Sequence, residues 1–137
     1  MGVLIDASVL IEHERERLDL EHHLEQRAEE EFFLSVVTAS ELLHGVHRAT
    51  DSAVRARRSA WVEAILERFP LLPIDVQIAR AHSQLWADLA SRGQMIGPNY
   101  LWLAASCVAH GLVMVTANER EFRRVPGLEV EAWSART

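Results

Sequence analysis

Short apolar runs alternate with longer segments of mixed polarity along the whole of this chain. Five runs of strand length predict strands, the first two of them buried, at Val3–Asp6, Phe32–Val36, Phe69–Ile74, Leu112–Val115 and Leu128–Val130. These runs are apolar on both faces and helical segments separate them. The pattern therefore predicts an α/β fold with a parallel sheet that helices cover on each side.

Segments with apolar residues at three- and four-residue spacing predict the helices between these strands. They lie at Val9–Glu12, Arg15–Glu31, Asp51–Arg68, Asp75–Arg92, Asn99–His110 and Asn118–Arg124. The sequence Thr38-Ala39-Ser40-Glu41 has the pattern of a capping box. It predicts a further helix that runs from there to about Arg48. No linker or internal repeat interrupts the alternation, so we expect a single domain over residues 1–137.

The charge balance limits the possible partners and chemistry. The chain carries 14 basic residues against 20 acidic ones, a formal net charge of −6, so any contact with nucleic acid must use a local patch. All the basic residues counted are arginine, and the absence of lysine excludes P-loop phosphate binding and Schiff-base chemistry. Neither HExxH nor CxxC is present, so the seven histidines do not favour a zinc site.

The N-terminal sequence argues against export. MGVLIDASVL has no basic region ahead of its apolar residues, and no apolar run approaches the roughly 20 residues that span a bilayer. We therefore expect a cytoplasmic protein that has no membrane partner.

Polar side chains follow three of the predicted strands. Asp6 ends the first strand, Glu41 lies in the helix after the second, and Asn118 and Glu121 follow the fourth. The carboxyl ends of parallel strands meet at one edge of a sheet, so these residues could converge. Carboxylate and amide oxygens suit a hard divalent ion such as Mg²⁺ or Mn²⁺, which polarises phosphates and generates hydroxide near neutral pH.

Each of these positions also has a purely structural interpretation. Asp6 could cap the following turn, Glu41 and Glu121 could be the acids of capping boxes, and Asn118 could be an N-cap. The nearby hydroxyls, at Ser8 and Thr116, suit caps and turns. A set of arginines could contact RNA phosphates or form a solvated helix face, and it comprises Arg48, Arg55, Arg57 and Arg58.

Four sequence blocks, taken in order and spacing, resemble the PIN-domain ribonucleases and, within them, the VapC toxins. The blocks are LIDASVLI, SELLHGV, GQMIGPNYLWLAA and LVMVTANEREFRRVPGLEVEAW, and they run nearly end to end. The resemblance implies a three-layer α/β/α sandwich with a central parallel sheet. It also implies a Mg²⁺- or Mn²⁺-dependent endoribonuclease that cuts structured RNA such as tRNA or ribosomal RNA. The implied partners are a VapB-type antitoxin and a second copy of the chain.

The resemblance carries over residue by residue. Asp6 matches the first family acid and Glu41 the second, Asn118 matches the Asp/Asn position after the fourth strand, and Glu121 matches the acid of the last block. These four are therefore the implied catalytic residues, and Asp6, Glu41 and Glu121 the implied metal ligands. Two small hydroxyl positions that support the family's site are matched by Ser8 and Thr116.

One position departs from the family pattern. Tyr100 stands where the family usually has its third acid, an aspartate. A phenol with a reference pKa of about 10 is neutral near pH 7 and is a poor ligand for a hard ion. Asn99 offers an oxygen, but it lies about 100° away around a helix, so we do not expect it to substitute. Two hypotheses follow: an endoribonuclease attenuated by Tyr100, or a catalytically inactive PIN-fold module that binds antitoxin or RNA without cleavage.

Overall fold

The computed structural model describes residues 2–134, and its centre is a parallel sheet. Within these residues the sheet has five strands, which are β1 (Gly2–Ile5), β2 (Glu31–Ser35), β3 (Leu71–Leu72), β4 (Val113–Thr116) and β5 (Val130–Ala132). Their order is β3-β2-β1-β4-β5. The chain moves outward from β1 to β3 and then returns to the other side of β1. The strand order therefore reverses between β1 and β4, the place where open α/β sheets form their ligand crevice.

Helices cover both faces of this sheet. They are α1 (Ala7–Glu14), α2 (Leu20–Gln26), α3 (Val36–Arg48), α4 (Ser52–Arg68), α5 (Val76–Ser91) and α6 (Pro98–His110), with a 3₁₀ turn at Phe122–Arg124. Side chains of α1 to α4 pack into one apolar cluster, and those of α5, α6 and the 3₁₀ turn pack into another. The predicted three-layer α/β/α sandwich with a central parallel sheet is confirmed.

Strand β1 joins the two clusters because successive side chains of a strand point to opposite faces. Val3 and Ile5 belong to the cluster of α1 to α4, and Leu4 belongs to that of α5 and α6. All three are fully buried. Full burial of one such side chain stabilises the fold by about 1.5–3 kcal/mol, so β1 anchors both layers.

The long helix predicted over Arg15–Glu31 is wrong. Only Leu20–Gln26 is helical, and the chain turns at Glu16, which has a φ of 60°. Leu18 and Leu20 are both buried although they are two residues apart. A continuous helix would place them about 200° apart, on opposite sides, so the chain has to leave the helix to bury both.

The predicted capping box is also wrong. Helix α3 begins at Val36, and the Ser35 Oγ accepts a hydrogen bond of 3.0 Å from the Val37 backbone N–H. Thr38 is therefore inside the helix, where its Oγ1 is buried without a hydrogen-bond partner. Glu41 lies in the second turn and does not cap the helix. The apolar residues that predicted strand to Val36 concealed the N-cap at Ser35.

The segment Asn118–Arg124 forms only the 3₁₀ turn at Phe122–Arg124, so the predicted helix and its Asn118 N-cap are wrong. The helix that ends at His110 is confirmed, and Gly111 ends it with a φ of 65°, a left-handed conformation that glycine adopts without strain. Among the helices of residues 2–134, none combines the length and apolar surface that crossing a membrane requires.

Candidate functional site

Asp6 occupies the bottom of the crevice between β1 and β4. It follows β1 directly and its side chain is only 2% exposed. Although it holds the N-cap position of α1, its carboxylate makes no capping hydrogen bond. Instead the Oδ2 atom accepts hydrogen bonds from Ser8 Oγ at 2.7 Å and Thr116 Oγ1 at 2.8 Å. Burial raises the pKa of Asp6, and these two hydrogen bonds partly oppose the increase.

Ser8 and Thr116 tie Asp6 to the loop after β4. Ser8 Oγ accepts a hydrogen bond of 3.0 Å from the Ala117 N–H, and Thr116 Oγ1 accepts one of 2.9 Å from the Asn118 N–H. Each hydroxyl therefore donates to the carboxylate and accepts from the backbone. This arrangement fixes both the Asp6 side chain and the position of Asn118. The supporting role of both hydroxyls in a catalytic site stays a prediction.

Glu41 approaches Asp6 from α3. Burial raises the pKa of Glu41, the negative charge of Asp6 raises it further, and a hydrogen bond with the Asn99 side chain lowers it. Its Oε1 atom is buried without a hydrogen-bond partner. A buried acceptor with no donor is costly for a folded protein, and a neighbouring negative charge adds to the cost. The contact with Asn99, which sequence reasoning did not expect, comes from the first turn of α6.

Tyr100 lies among the acids. Its ring packs against Phe122, with centroids 5.0 Å apart, and its hydroxyl accepts a hydrogen bond of 3.3 Å from the Asn118 side-chain amide. Burial raises the pKa of Tyr100, the Asn118 hydrogen bond lowers it, and the charges of Asp6, Glu121 and Glu41 raise it further. The phenol therefore stays neutral at physiological pH and contributes no negative charge to the crevice.

Glu121 holds the loop that precedes α6. The Oε1 atom of Glu121 accepts a hydrogen bond of 3.0 Å from the backbone N–H of Gly97, which lies at the end of that loop. The capping-box partnership with Asn118 is wrong, because the backbone N–H of Asn118 donates to Thr116 instead. Sequence reasoning missed the contact with Gly97, since 24 residues separate the two positions.

The carboxylate oxygens at the crevice are ligands that suit a hard cation, but few of them lie close together. Residues 2–134 contain no group of three or more His, Cys, Asp or Glu side chains placed to hold one metal ion. The structure therefore does not gather Asp6, Glu41 and Glu121 into one three-ligand group. Asp6 and Glu41 alone fit such an ion, because they are two interacting carboxylates and the Oε1 of Glu41 has no donor.

The four predicted arginines have different environments. Arg48 and Arg58 line a cavity of about 460 Å³ that Glu41 also lines. The Arg55 guanidinium is held by the Ala49 carbonyl, to which it donates at 2.9 and 2.6 Å. Arg57 is exposed on α4 and does not line this cavity. RNA contact by these side chains stays a prediction.

The chain matches the family model described as PIN domain over residues 3–128. It is 35% identical over 122 residues to the tRNA(fMet)-specific endonuclease VapC of Salmonella typhimurium, covering 89% of this chain and 85% of that protein. Ribonuclease VapC1 of Rickettsia felis is 30% identical over 132 residues, 95% of each chain.

Solved structures are similar over nearly the whole chain. The DNA-bound VapBC from Salmonella typhimurium superimposes with a TM-score of 0.87 at 28% identity and covers 97% of this chain and 98% of that one. VapBC2 from Rickettsia felis bound to promoter DNA gives a TM-score of 0.89 at 23% identity, over 98% and 100% of the two chains, and shares the fold. The chain therefore belongs to the PIN domain family and, within it, to the VapC group.

Proposed function

We propose that this chain is the toxin of a VapBC pair, an endoribonuclease that uses Mg²⁺ or Mn²⁺ to hydrolyse a phosphodiester bond of a structured RNA such as tRNA or ribosomal RNA. The observation that carries the proposal is the buried Asp6 carboxylate at the reversal of strand order, whose charge acts on the half-buried Glu41 of α3. The names of relatives support the reaction class, since one is called a ribonuclease and another a tRNA endonuclease.

In this proposal Asp6 and Glu41 would hold the ion. When bound, such an ion polarises the phosphate and lowers the pKa of a water molecule. Ser8 and Thr116 keep the Asp6 carboxylate in one orientation through their hydrogen bonds. The buried Oε1 of Glu41, which has no hydrogen-bond partner in the described chain, would be satisfied by that ion. In this proposal Ser8 and Thr116 orient the Asp6 carboxylate, and Asp6 and Glu41 supply the negative charge.

Asn118 and Glu121 define the other side of the proposed site. Asn118 is held through its backbone N–H and places its side-chain amide beside Tyr100. Glu121 fixes the loop before α6 and adds negative charge near the Tyr100 hydroxyl. Because Tyr100 supplies no third carboxylate, we propose that affinity for the ion is low and that cleavage is attenuated.

The same tyrosine supports a second candidate function. A crevice with one acid replaced by a neutral ring suits a PIN-fold module that binds antitoxin or RNA without cleavage. In both cases we expect a VapB-type antitoxin as partner, because the similar Salmonella structure is a VapBC assembly. We also expect a homodimer, which sedimentation of the purified chain tests directly.

The deciding experiment measures cleavage of tRNA and ribosomal RNA by the purified chain, Tyr100→Asp and Tyr100→Phe, each with Mn²⁺ and with EDTA. The Tyr100→Asp variant should cut at least tenfold faster than the parent and bind Mn²⁺ more tightly in a spin-resonance titration, because it adds the missing charge. The Tyr100→Phe control keeps the ring and should match the parent.

Asp6→Asn in the Tyr100→Asp background should abolish cleavage and Mn²⁺ binding. Undiminished cleavage by that double variant would remove Asp6 from the mechanism. If neither the parent nor Tyr100→Asp cuts RNA, while the parent binds an antitoxin equally well with EDTA, the second candidate function replaces the first.

A further inference from the structure

A cavity opens beside Glu41, between α1, α3 and α4. Its volume is about 460 Å³. Glu41 and Asn99 line it, and the same two residues line the surface around Tyr100. Glu41 and Asn99 thus belong to both, so the cavity is adjacent to the surface around Tyr100.

The charge at this cavity differs from that of the chain as a whole. Arg15, Arg48 and Arg58 line it together with only two carboxylates, Glu14 and Glu41. The Nε atom of Arg58 lies 4.0 Å from the Oε2 atom of Glu14, which makes an ion pair. Arg15 and Arg48 form no ion pair with the rest of the described chain. In a protein of net charge −6, three arginines around one opening indicate an anionic ligand.

The wall of the cavity is apolar and aromatic. Leu42 and Val62 line it from α3 and α4, and the half-buried Trp61 lies on the same side. An indole next to arginines suits a nucleobase, which stacks on aromatic rings while its phosphates contact cations. The volume is within the range of small-molecule sites and can accept one nucleotide.

We propose that this cavity binds one unpaired nucleotide of the RNA, next to the bond that is cut, with its base on Trp61 and its flanking phosphates at Arg48 and Arg58. This inference rests on the proposed function and defines where its substrate lies. The base has to be unpaired, because a base inside a duplex cannot leave its stack to enter a cavity without breaking its pair.

The charge contribution is tested with a labelled ten-nucleotide single-stranded RNA of mixed sequence in EDTA, which prevents cleavage. Arg48→Ala should weaken binding by about 5–10-fold at low salt and reduce the slope of log affinity against log salt by about 0.7. The matched control is Arg80→Ala, an exposed arginine on α5 in the opposite layer, which should change affinity by less than about twofold. Equal affinities of the two variants would overturn the proposal.

The base contact is tested by tryptophan fluorescence with the same RNA. Stacking should quench the emission of the parent chain, and Trp61→Phe should abolish the quenching. Trp86→Phe is the control, because Trp86 is 55% exposed on α5. A duplex of the same length should not quench. Quenching that persists in Trp61→Phe, or that the duplex reproduces, would contradict the proposal.

The outcomes separate this proposal from the proposed function. Metal-dependent cleavage combined with equal binding by Arg48→Ala and Arg80→Ala would overturn the nucleotide cavity and leave the nuclease intact. Binding that depends on Arg48 and Trp61, without any metal-dependent cleavage, would retain the cavity and overturn the nuclease. If Arg48→Ala loses binding to an antitoxin but not to RNA, the cavity belongs to the protein partner and the proposal fails.

Discussion

At the scale of single residues, the centre of the site is the Asp6 carboxylate, whose burial costs free energy because a charged group loses its hydration. Asp6 has lost most of its hydration, and the two hydroxyls of Ser8 and Thr116 replace only part of it. Glu41 then lies close enough for the charge of Asp6 to raise its pKa. Such an arrangement is retained at functional sites because the unfavourable charge interaction is relieved when a cation binds.

This cost predicts a dependence of stability on pH. Burial raises the folded-state pKa of Asp6 above its reference value of 3.8, so the folded protein holds a proton that the unfolded chain releases. Stability is therefore lost as pH rises through the interval between the two pKa values. In EDTA, Asp6→Asn should raise the melting temperature at pH 7 and leave it nearly unchanged below pH 4.

Thermal unfolding followed by circular dichroism at several pH values measures this difference. Asp88→Asn removes an exposed carboxylate on α5 and is the matched control, which should not be stabilised at pH 7. A loss of stability in Asp6→Asn at pH 7 would mean that its hydrogen bonds outweigh the cost of its charge.

Sequence reasoning predicted which polar residues lie at the ends of the strands but not the contacts that they make. Asp6, Ser8 and Thr116 were predictable, because strand ends are where parallel sheets bring polar residues together. The Tyr100 substitution was visible from the family pattern. The unpartnered oxygen of Glu41 and the contact from Asn99 depend on how α3 and α6 approach each other, which no local pattern records.

At the scale of elements, the apolar runs predicted β1, β2 and β4 well. The predicted third strand shrinks to Leu71–Leu72, and the predicted fifth strand overlaps β5 only at Val130. The apolar residues of β1 after Gly2 and all of β4 are buried, so hydrophobicity alone predicts these two strands. The start of α3 was missed because two competing hydroxyl residues lie three positions apart. Ser35 caps the helix, whereas Thr38 has the sequence context of a cap but is buried within the first turn. Both side chains are fully buried, so burial does not distinguish them, and the cap is assigned by the hydrogen bond to the Val37 N–H.

The position of Thr38 leads to a prediction for α3. Its buried Oγ1 has no hydrogen-bond partner, and an unsatisfied buried hydroxyl reduces stability by about 1 kcal/mol or more. Thr38→Val keeps the branched shape and removes the hydroxyl, so it should raise the free energy of unfolding by about 1 kcal/mol. Urea unfolding checks this value. Thr38→Ser, which keeps the hydroxyl and loses the methyl group, should instead destabilise the protein, and a gain in that variant would contradict the assignment.

At the scale of the whole molecule, the two helical layers meet through the sheet and where α3 approaches α6, and β1 contributes to both layers. Val3 and Ile5 face α1 to α4, and Leu4 faces α5 and α6. The acidic crevice lies at the end of this same strand, so its geometry depends on both layers staying in register. The molecule should therefore unfold as one unit, as most domains of this size do.

Substitutions on the two sides of β1 test this coupling. Leu4→Ala should lower the free energy of unfolding by about 2–5 kcal/mol, and Val3→Ala by a smaller amount, because each removes fully buried apolar volume. Tryptophan fluorescence reports on both layers, since Trp61 and Trp133 pack on one side and Trp102 on the other. In each variant, fluorescence and far-ultraviolet circular dichroism should give one coincident urea transition. Separate transitions in Leu4→Ala would mean that the layer of α5 and α6 unfolds independently, which would contradict the coupling.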